Sequence, residues 1–193
     1  MKIRAAAVSL ATVLYSVGVG AAPKVLVQDV NTLASVDALD EPAGTKAIVF
    51  LFTSTDCPIS NRYAPEVHRL SERFTRQGVV FRLIYPGRAD TANAIHEHLK
   101  AFAYTGSADA YRDPELALAK FVSATVTPEA AVVAHGKVLY HGRIDDRYVD
   151  LGLERPAPTT HDLADALTSV LAGRPVAHTV TQAVGCFIAD IAR

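Results

Sequence analysis

The sequence contains few of the residues on which many small functional sites depend. Among its 193 residues there are two cysteines, one methionine and no tryptophan. The two cysteines, Cys57 and Cys186, lie far apart in the chain, and no C-x-x-C pair occurs. This absence excludes zinc ribbons, c-type haem attachment and a disulfide closed within one short loop. Two cysteines are also too few for a small scaffold held together by disulfides.

An excess of charge of one sign and a long apolar run are missing as well. The chain has 19 Lys and Arg residues against 20 Asp and Glu residues, which argues against nucleic acid as a partner. Half of the residues are apolar, so a chain of this length is expected to form one domain with a proper core. The apolar stretch near the N-terminus is about 15 residues long, short of the roughly 20 that a membrane-spanning helix needs.

Residues 1–21 have the pattern of a secretory signal peptide. Lys2 and Arg4 precede the short apolar stretch, and the small residues Gly20, Ala21 and Ala22 follow it. We expect cleavage after Ala21, a periplasmic or secreted mature protein, and no stable membrane anchor after cleavage. The alternative is an uncleaved anchor, which the shortness of the apolar stretch disfavours. Export affects the two cysteines, because disulfides persist outside the cytosol.

The stretch around Cys57 has the strongest functional pattern in the chain. Before it, residues 47–52 are apolar without alternation, which predicts a strand buried on both faces. After it, apolar residues recur every three or four positions and predict a helix over 58–77, with Pro58 at the first helical position. A cysteine at the start of a helix faces free backbone N–H groups, which favour the thiolate. Cys57 is therefore the candidate nucleophile, and the alternative is a buried structural cysteine.

The remaining pattern predicts one α/β domain with flanking segments. We expect a lead-in over 22–45, the domain over 46–175, and a C-terminal tail over 176–193 that carries Cys186. Residues 180–185 have no helical or strand pattern and are expected to run extended. Since extended chain spans about 3.3 Å per residue, Cys186 can reach the end of the sheet where Cys57 lies.

The other predicted elements follow from turn and capping signals. Strands are predicted over 79–85, 130–134 and 137–144, the last two as a hairpin. Helices are predicted to begin at Thr91, at Asp113-Pro114 as N-cap and first position, and at a capping pair of Thr159 and Asp162. This order predicts a central mixed sheet with helices on both faces.

Taken together, these features resemble the thioredoxin fold over roughly residues 46–172. In thioredoxin-like proteins a proline eight residues after the first active-site cysteine bends the following helix, and Pro65 has this spacing from Cys57. The family also has a cis-proline that opens the hairpin and packs on that cysteine, where this chain has Thr127-Pro128. The segments 56–60, 142–146 and 183–186 are similar to those of an uncharacterised group of exported bacterial redoxins. That group is related to both the peroxiredoxins and the bacterial thiol–disulfide oxidoreductases, and the resemblance implies a thioredoxin-like α/β fold.

The residues around Cys57 depart from both relatives. Dithiol oxidoreductases have a second cysteine at the position of Ser60, so reversible disulfide chemistry at Cys57 requires Cys186. Asp56 stands where thioredoxin has an aromatic residue, and its charge would oppose the thiolate. Ser54 stands where peroxiredoxins have a threonine and keeps a hydroxyl that would bind a peroxide oxygen. The proline that precedes this threonine in peroxiredoxins is missing.

The resemblance implies an exported thiol-based oxidoreductase with peroxide or a protein disulfide as substrate. The Cys57 thiolate would attack the substrate, Cys186 would resolve the sulfenic acid or mixed disulfide, and a thiol reductant protein would restore both thiols. The expected supporting residues are Ser54, Asp56, Pro58, Ser60, Thr127 and Pro128.

A different hypothesis is a non-enzymatic redoxin scaffold. In this alternative, a fixed Cys57–Cys186 disulfide pins the tail, and the scaffold binds copper or docks a partner protein. The seven histidines do not cluster in the sequence, and neither a resident metal nor a cofactor is expected.

Overall fold

The computed structural model describes residues 24–106 and 108–191. The signal peptide predicted for residues 1–21 lies outside these ranges. The helices of the described part are α1 (Pro58–Arg62), α2 (Ala64–Thr75), α3 (Ala92–Ala101), α4 (Ala117–Val122) and α5 (Asp162–Leu171). The strands are β1 (Leu26–Asp29), β2 (Ser35–Asp37), β3 (Ala47–Phe52), β4 (Val79–Tyr85), β5 (Asp109–Arg112), β6 (Val126–Thr127), β7 (Glu129–Ala134), β8 (Lys137–Gly142), β9 (Tyr148–Asp150), β10 (Leu153–Glu154) and β11 (Cys186–Phe187).

A seven-stranded mixed sheet forms the centre of the molecule, as the sequence predicted. The strand order is β2-β1-β5-β4-β3-β7-β8. Strands β3, β4 and β5 are parallel, whereas β7 and β8 form the antiparallel hairpin on the other side of β3. All six residues of β3 are buried, which explains why its sequence shows no alternation of apolar and polar residues.

Helices cover both faces of this sheet. Alternate β3 side chains point to opposite faces: Val49 and Leu51 pack with residues of α2, α3 and α5, whereas Phe50 and Phe52 pack with residues of α4. The apolar cluster on the face covered by α4 also contains Ile188, which follows β11 in the tail. The tail is therefore part of the packed domain at this point.

The helix predicted over 58–77 is two helices. Helix α1 ends at Arg62, α2 begins at Ala64, and Tyr63 stands between them with φ −80° and ψ −7°. Pro65 causes the break, because a proline lacks the N–H that would continue the helix and its ring clashes with the carbonyl four residues earlier. The kink predicted at Pro65 is thus a break two residues earlier, at Tyr63.

Two predicted helix starts are wrong. Helix α4 begins at Ala117 instead of following Asp113-Pro114 directly, and its N-cap Leu116 has a left-handed φ of 57°. The buried Asp113 still serves this helix, because its carboxylate accepts a hydrogen bond from the Ala119 backbone N–H at 2.8 Å. A turn after β5 displaces the helix, and β5 itself carries no clear sequence signal.

At α5 the predicted capping pair also fails. The N-cap is His161 without a side-chain cap. The backbone N–H groups of Thr159 and Thr160 donate instead to the Asp146 carboxylate, at 2.6 and 2.9 Å. In the first turn itself, the Leu163 N–H donates to Ile144 O at 3.1 Å, so a tertiary backbone carbonyl takes the place of a local cap.

The segment expected as a lead-in contributes to the main sheet. Strands β1 and β2 pair with each other, and β1 adds to the edge of β5 through Gln28↔Arg112 and Asp29↔Tyr111. None of the helices in the described part is long and apolar enough to cross a bilayer.

Candidate thiol site

The fold brings the two cysteines together at one end of the sheet. Cys57 follows the loop after β3 and is the N-cap of α1. Cys186 lies in β11, which pairs antiparallel with β6 and places Cys186 opposite Thr127. The two Sγ atoms are 2.7 Å apart and both thiols are free. The prediction that the tail carries Cys186 to Cys57 is confirmed.

Two anchors hold the tail in this position. Upstream of Cys186, the His141 N–H donates to Thr179 O at 2.9 Å, and the Thr181 N–H donates to His141 O at 3.1 Å. Downstream, the Ile188 N–H donates to Thr125 O at 3.0 Å, and the Ile188 side chain is 6% exposed. Cys186 is thus held from both sides by segments of the same domain.

Gly185 allows the tail to lie against β6. A Cβ atom at this position would lie 2.2 Å from Thr127 O and 3.0 Å from Pro128 N. Only a residue without a side chain permits this approach. The sequence pattern predicted Gly185 only as part of an extended segment, although a glycine next to the candidate cysteine can indicate close backbone contact.

Cys57 is 1% exposed and has contacts that act on its proton in both directions. Burial raises the pKa of the Cys57 thiol, but hydrogen bonds from Cys186 and from the Ser60 hydroxyl and backbone N–H outweigh it, so the pKa lies below its usual value. The buried Ser60 hydroxyl has no partner of normal geometry among the described residues, so its proton is available to this sulfur. When protonated, Cys57 donates to Thr127 O at 3.0 Å.

Cys186 has the opposite proton preference. Burial, the hydrogen bond to Cys57, and the negative charges of Cys57 and Asp56 raise the pKa of Cys186 to about 12. Cys186 is therefore the thiol that donates across the pair, and Cys57 is the sulfur that accepts as a thiolate. This asymmetry agrees with Cys57 as the nucleophile.

The supporting residues predicted from the sequence lie around this pair. Ser54 donates its hydroxyl to the Asp56 carboxylate at 2.6 Å, so the hydroxyl expected to bind a peroxide oxygen has another partner. Asp56 is exposed, and its charge acts on Cys186. Pro58 occupies the first turn of α1, and the Thr127-Pro128 peptide bond is cis, as predicted.

Asp90 is a further buried group near the site that sequence reasoning missed. It is 3% exposed, and its Oδ1 accepts the Thr55 backbone N–H at 3.1 Å and the Thr55 hydroxyl at 2.6 Å. These bonds connect the loop between β3 and Cys57 to the loop after β4. No local sequence signal links positions that lie so far apart.

Two cavities open beside Cys186. One of about 480 Å³ has Asp56, Thr127 and Cys186 in its wall. The other, of about 330 Å³, has Pro58 and Cys186 in its wall. Cys57 lines neither cavity, so Cys186 is the sulfur that both of them present.

Within the described ranges, one group of side chains could hold a metal ion by the distances between their ligand atoms. This group consists of Glu66, Asp145 and His161. The group contains neither cysteine, so among the described residues no histidine lies close enough to Cys57 and Cys186 to complete a three-ligand copper site with them.

Comparisons with known proteins show the fold. No family model matches the chain, and no curated protein matches it. Among solved structures, an uncharacterized conserved protein from Geobacillus kaustophilus is similar at 25% identity and a TM-score of 0.72, over 86% of this chain and 88% of that one. A hypothetical protein, SMc02350 from Sinorhizobium meliloti 1021, is similar at 23% identity and a TM-score of 0.69, over 86% and 91%.

A third solved structure connects this architecture to a named activity in another protein. A thiol-disulfide oxidoreductase from Bacteroides fragilis NCTC 9343 is similar at 16% identity and a TM-score of 0.52, over 62% of this chain and 88% of that one. Identity at this level establishes architecture alone. From the mixed sheet, the helices on both faces and these neighbours, we conclude that the chain has a thioredoxin-like α/β fold.

Proposed function

We propose that this protein is a thiol–disulfide oxidoreductase in which Cys57 and Cys186 alternate between a dithiol and an intrachain disulfide. The observation that carries the proposal is the 2.7 Å separation of the two Sγ atoms, with opposite proton preferences on the two sulfurs. The similarity to a solved structure named as a thiol-disulfide oxidoreductase supports it at the level of the fold.

The two sulfurs have distinct roles in the exchange, and each bond that forms is matched by one that breaks. In the reducing direction, the Cys57 thiolate attacks a substrate disulfide, forms a mixed disulfide and releases one substrate thiolate. Cys186 then loses its proton and attacks Cys57 Sγ, which releases the second substrate thiolate and leaves the Cys57–Cys186 disulfide. A dithiol protein then restores both thiols by exchange with the Cys57–Cys186 disulfide.

A disulfide or thiol substrate fits this site better than a peroxide. Peroxide reduction would use a hydroxyl near the thiolate, and the Ser54 hydroxyl is held by Asp56. Peroxide reduction would also use a free guanidinium to polarise the peroxide, and the Arg143 guanidinium is paired with Asp162 at 2.8 Å. Disulfide exchange needs neither group, since the second sulfur is already next to the first.

We also propose that the protein works outside the cytosol after removal of residues 1–21. The basic residues Lys2 and Arg4, the short apolar stretch and the small residues after it support this proposal. N-terminal sequencing of the protein from its native envelope is expected to begin near Ala22. An intact Met1 on membrane-bound material would contradict this proposal.

The function is tested by following the cysteines through one cycle. After mild oxidation, non-reducing peptide mapping is expected to show one intrachain Cys57–Cys186 disulfide that a dithiol reductant opens again. In the Cys186→Ser variant, Cys57 is expected to accumulate mixed disulfides or sulfinic acid, because the second thiol is missing.

Three outcomes would contradict the proposal. Free thiols on both cysteines after oxidation, or dimers linked through Cys186 alone, would exclude the intrachain couple. A Cys57–Cys186 bridge that a dithiol reductant leaves intact in the folded protein would favour the non-enzymatic scaffold with a fixed disulfide.

A further inference from the structure

We propose that a partner thiolate attacks the oxidised Cys57–Cys186 pair at Cys186 Sγ, so that the mixed disulfide forms on the tail cysteine and Cys57 is released. This inference rests on the proposed function and names the sulfur through which the site meets its partner. It differs from the sequence-based expectation, in which Cys186 acts only inside the chain.

The burial of the two sulfurs is the first argument. Cys57 is 1% exposed, whereas Cys186 is only half-buried. The cavities of about 480 and 330 Å³ both have Cys186 in their walls, and neither has Cys57. An incoming thiolate must reach the sulfur that it attacks, and these openings lead it to Cys186.

The occupied backbone edge of β6 is the second argument. Cys186 pairs with Thr127 and Phe187 pairs with Val126, so the tail fills the edge beside Cys57. The contact of Gly185 with the Thr127 backbone closes the same edge further upstream. In the oxidised chain the Cys57–Cys186 bond fastens the tail to this edge, so a polypeptide partner cannot lie across Cys57. In the dithiol only noncovalent contacts hold the tail, and it can move aside for a substrate disulfide.

The stability of the leaving thiolate also favours attack at Cys186. The partner thiolate forms a bond to Cys186 Sγ, the Cys57–Cys186 bond breaks, and its electron pair goes to Cys57 Sγ. The partner sulfur is oxidised and Cys57 is reduced to a thiolate, which the Ser60 hydroxyl and N–H stabilise. A sulfur that is more stable as a thiolate leaves faster, so Cys57 is the better leaving group of the two.

The partner chemistry required is a thiolate, from a small thiol or from a protein. The test uses the oxidised full chain mixed with glutathione, quenched in acid to stop further exchange, and mapped by mass spectrometry without reduction. We expect glutathione on Cys186 in at least about tenfold excess over Cys57. A parallel arm with a reduced, unfolded single-cysteine polypeptide is expected to modify the same sulfur, and the faster arm identifies the source of the thiolate.

A pair of tail variants tests the cause of this preference. In Ile188→Ala the downstream anchor is weakened, so Cys57 becomes more accessible and the excess on Cys186 is expected to fall. Gln182→Ala is the matched control, because Gln182 is an exposed residue of the same tail that lines neither cavity, and its truncation leaves the anchor in place. The control is expected to keep the wild-type ratio.

The possible results separate three statements: attack at Cys186, the proposed disulfide couple, and the role of the tail. Adducts mainly on Cys57, or spread evenly over the two cysteines of the wild-type chain, overturn this inference and leave the proposed couple intact. Failure of the intrachain disulfide to form overturns the proposed function itself. An adduct on Cys186 with an unchanged ratio in Ile188→Ala overturns the role given to the tail.

Discussion

The Gly185→Ala substitution tests whether contact of the tail with β6 positions Cys186. The added Cβ would lie 2.2 Å from Thr127 O, whereas real Cβ contacts essentially never fall below 3.0 Å. The neighbouring atom belongs to the backbone next to Pro128, so it cannot rotate away as a flexible side chain would. The tail must therefore move away from β6 by most of an ångström.

The size of the effect follows from the contacts that this movement loosens. Burial of an isoleucine side chain contributes roughly 1.5–3 kcal/mol, and the Ile188 N–H to Thr125 O hydrogen bond contributes about 0.5–1.5 kcal/mol. In the wild-type dithiol this docking free energy already holds Cys186 at Cys57. In the variant it is lost, so that formation of the disulfide has to supply it. A loss of roughly 2–4 kcal/mol lowers the equilibrium constant for disulfide formation by about 30- to 700-fold.

The assay is equilibration of the chain in mixtures of reduced and oxidised glutathione, followed by acid quench and quantification of the Cys57–Cys186 disulfide. Gln182→Ala is the matched control, since Gln182 is an exposed residue of the same tail segment. The control is expected to keep the wild-type equilibrium constant. If Gly185→Ala also keeps it, the tail contact does not position Cys186 and the reasoning is refuted.

Three further predictions concern the proton on Cys57, the pH dependence of stability and helix capping. In reduced Cys186→Ala, the pKa of Cys57 is expected to rise, because the hydrogen bond from Cys186 is lost; thiolate absorbance during a pH titration measures it, and an unchanged midpoint would contradict the shared proton. Because folding lowers the pKa of Cys57, this group stabilises the folded state of the reduced wild type. The stabilisation is present above the usual thiol pKa and is lost as the pH falls through the pKa of the folded state. Urea unfolding across this pH range measures the loss. Asp113→Ala is expected to lower the free energy of unfolding by about 0.5–2 kcal/mol, as for loss of a helix cap, while Asp113→Asn keeps an acceptor for the Ala119 N–H and loses less; equal losses in urea unfolding would show that the carboxylate position does not cap α4.

Local pattern in the sequence determined most of the architecture around the site. The unalternating run of β3, the helix start at Pro58 and the turn between the two hairpin strands each express a preference of a few neighbouring residues, whereas the cis bond at Thr127-Pro128 was expected from the resemblance to the thioredoxin fold. Such preferences act over one strand or one helical turn, so they can be recognised without tertiary structure. The same reasoning identified Cys57 as a cysteine at the junction of a central strand and a helix.

Elements that depend on distant partners could not be predicted in this way. The local caps expected for α4 and α5 do not form, because the acceptors for their first N–H groups lie beyond the local turn, as Ile144 O does for the Leu163 N–H. Strand β5 is held by its neighbours β4 and β1 on either side. Pairing across the chain outweighs a weak local preference.

The chemistry of the cysteine pair is divided in the same manner. The sequence by itself determined that Ser60 is no resolving thiol and that Cys186 is the remaining candidate. Only the tertiary structure decided which sulfur is buried, which one holds the proton, and that the tail fills the strand edge beside Thr127. Burial and shared protons are properties of atoms brought together from distant positions, and the order of residues along the chain does not contain them.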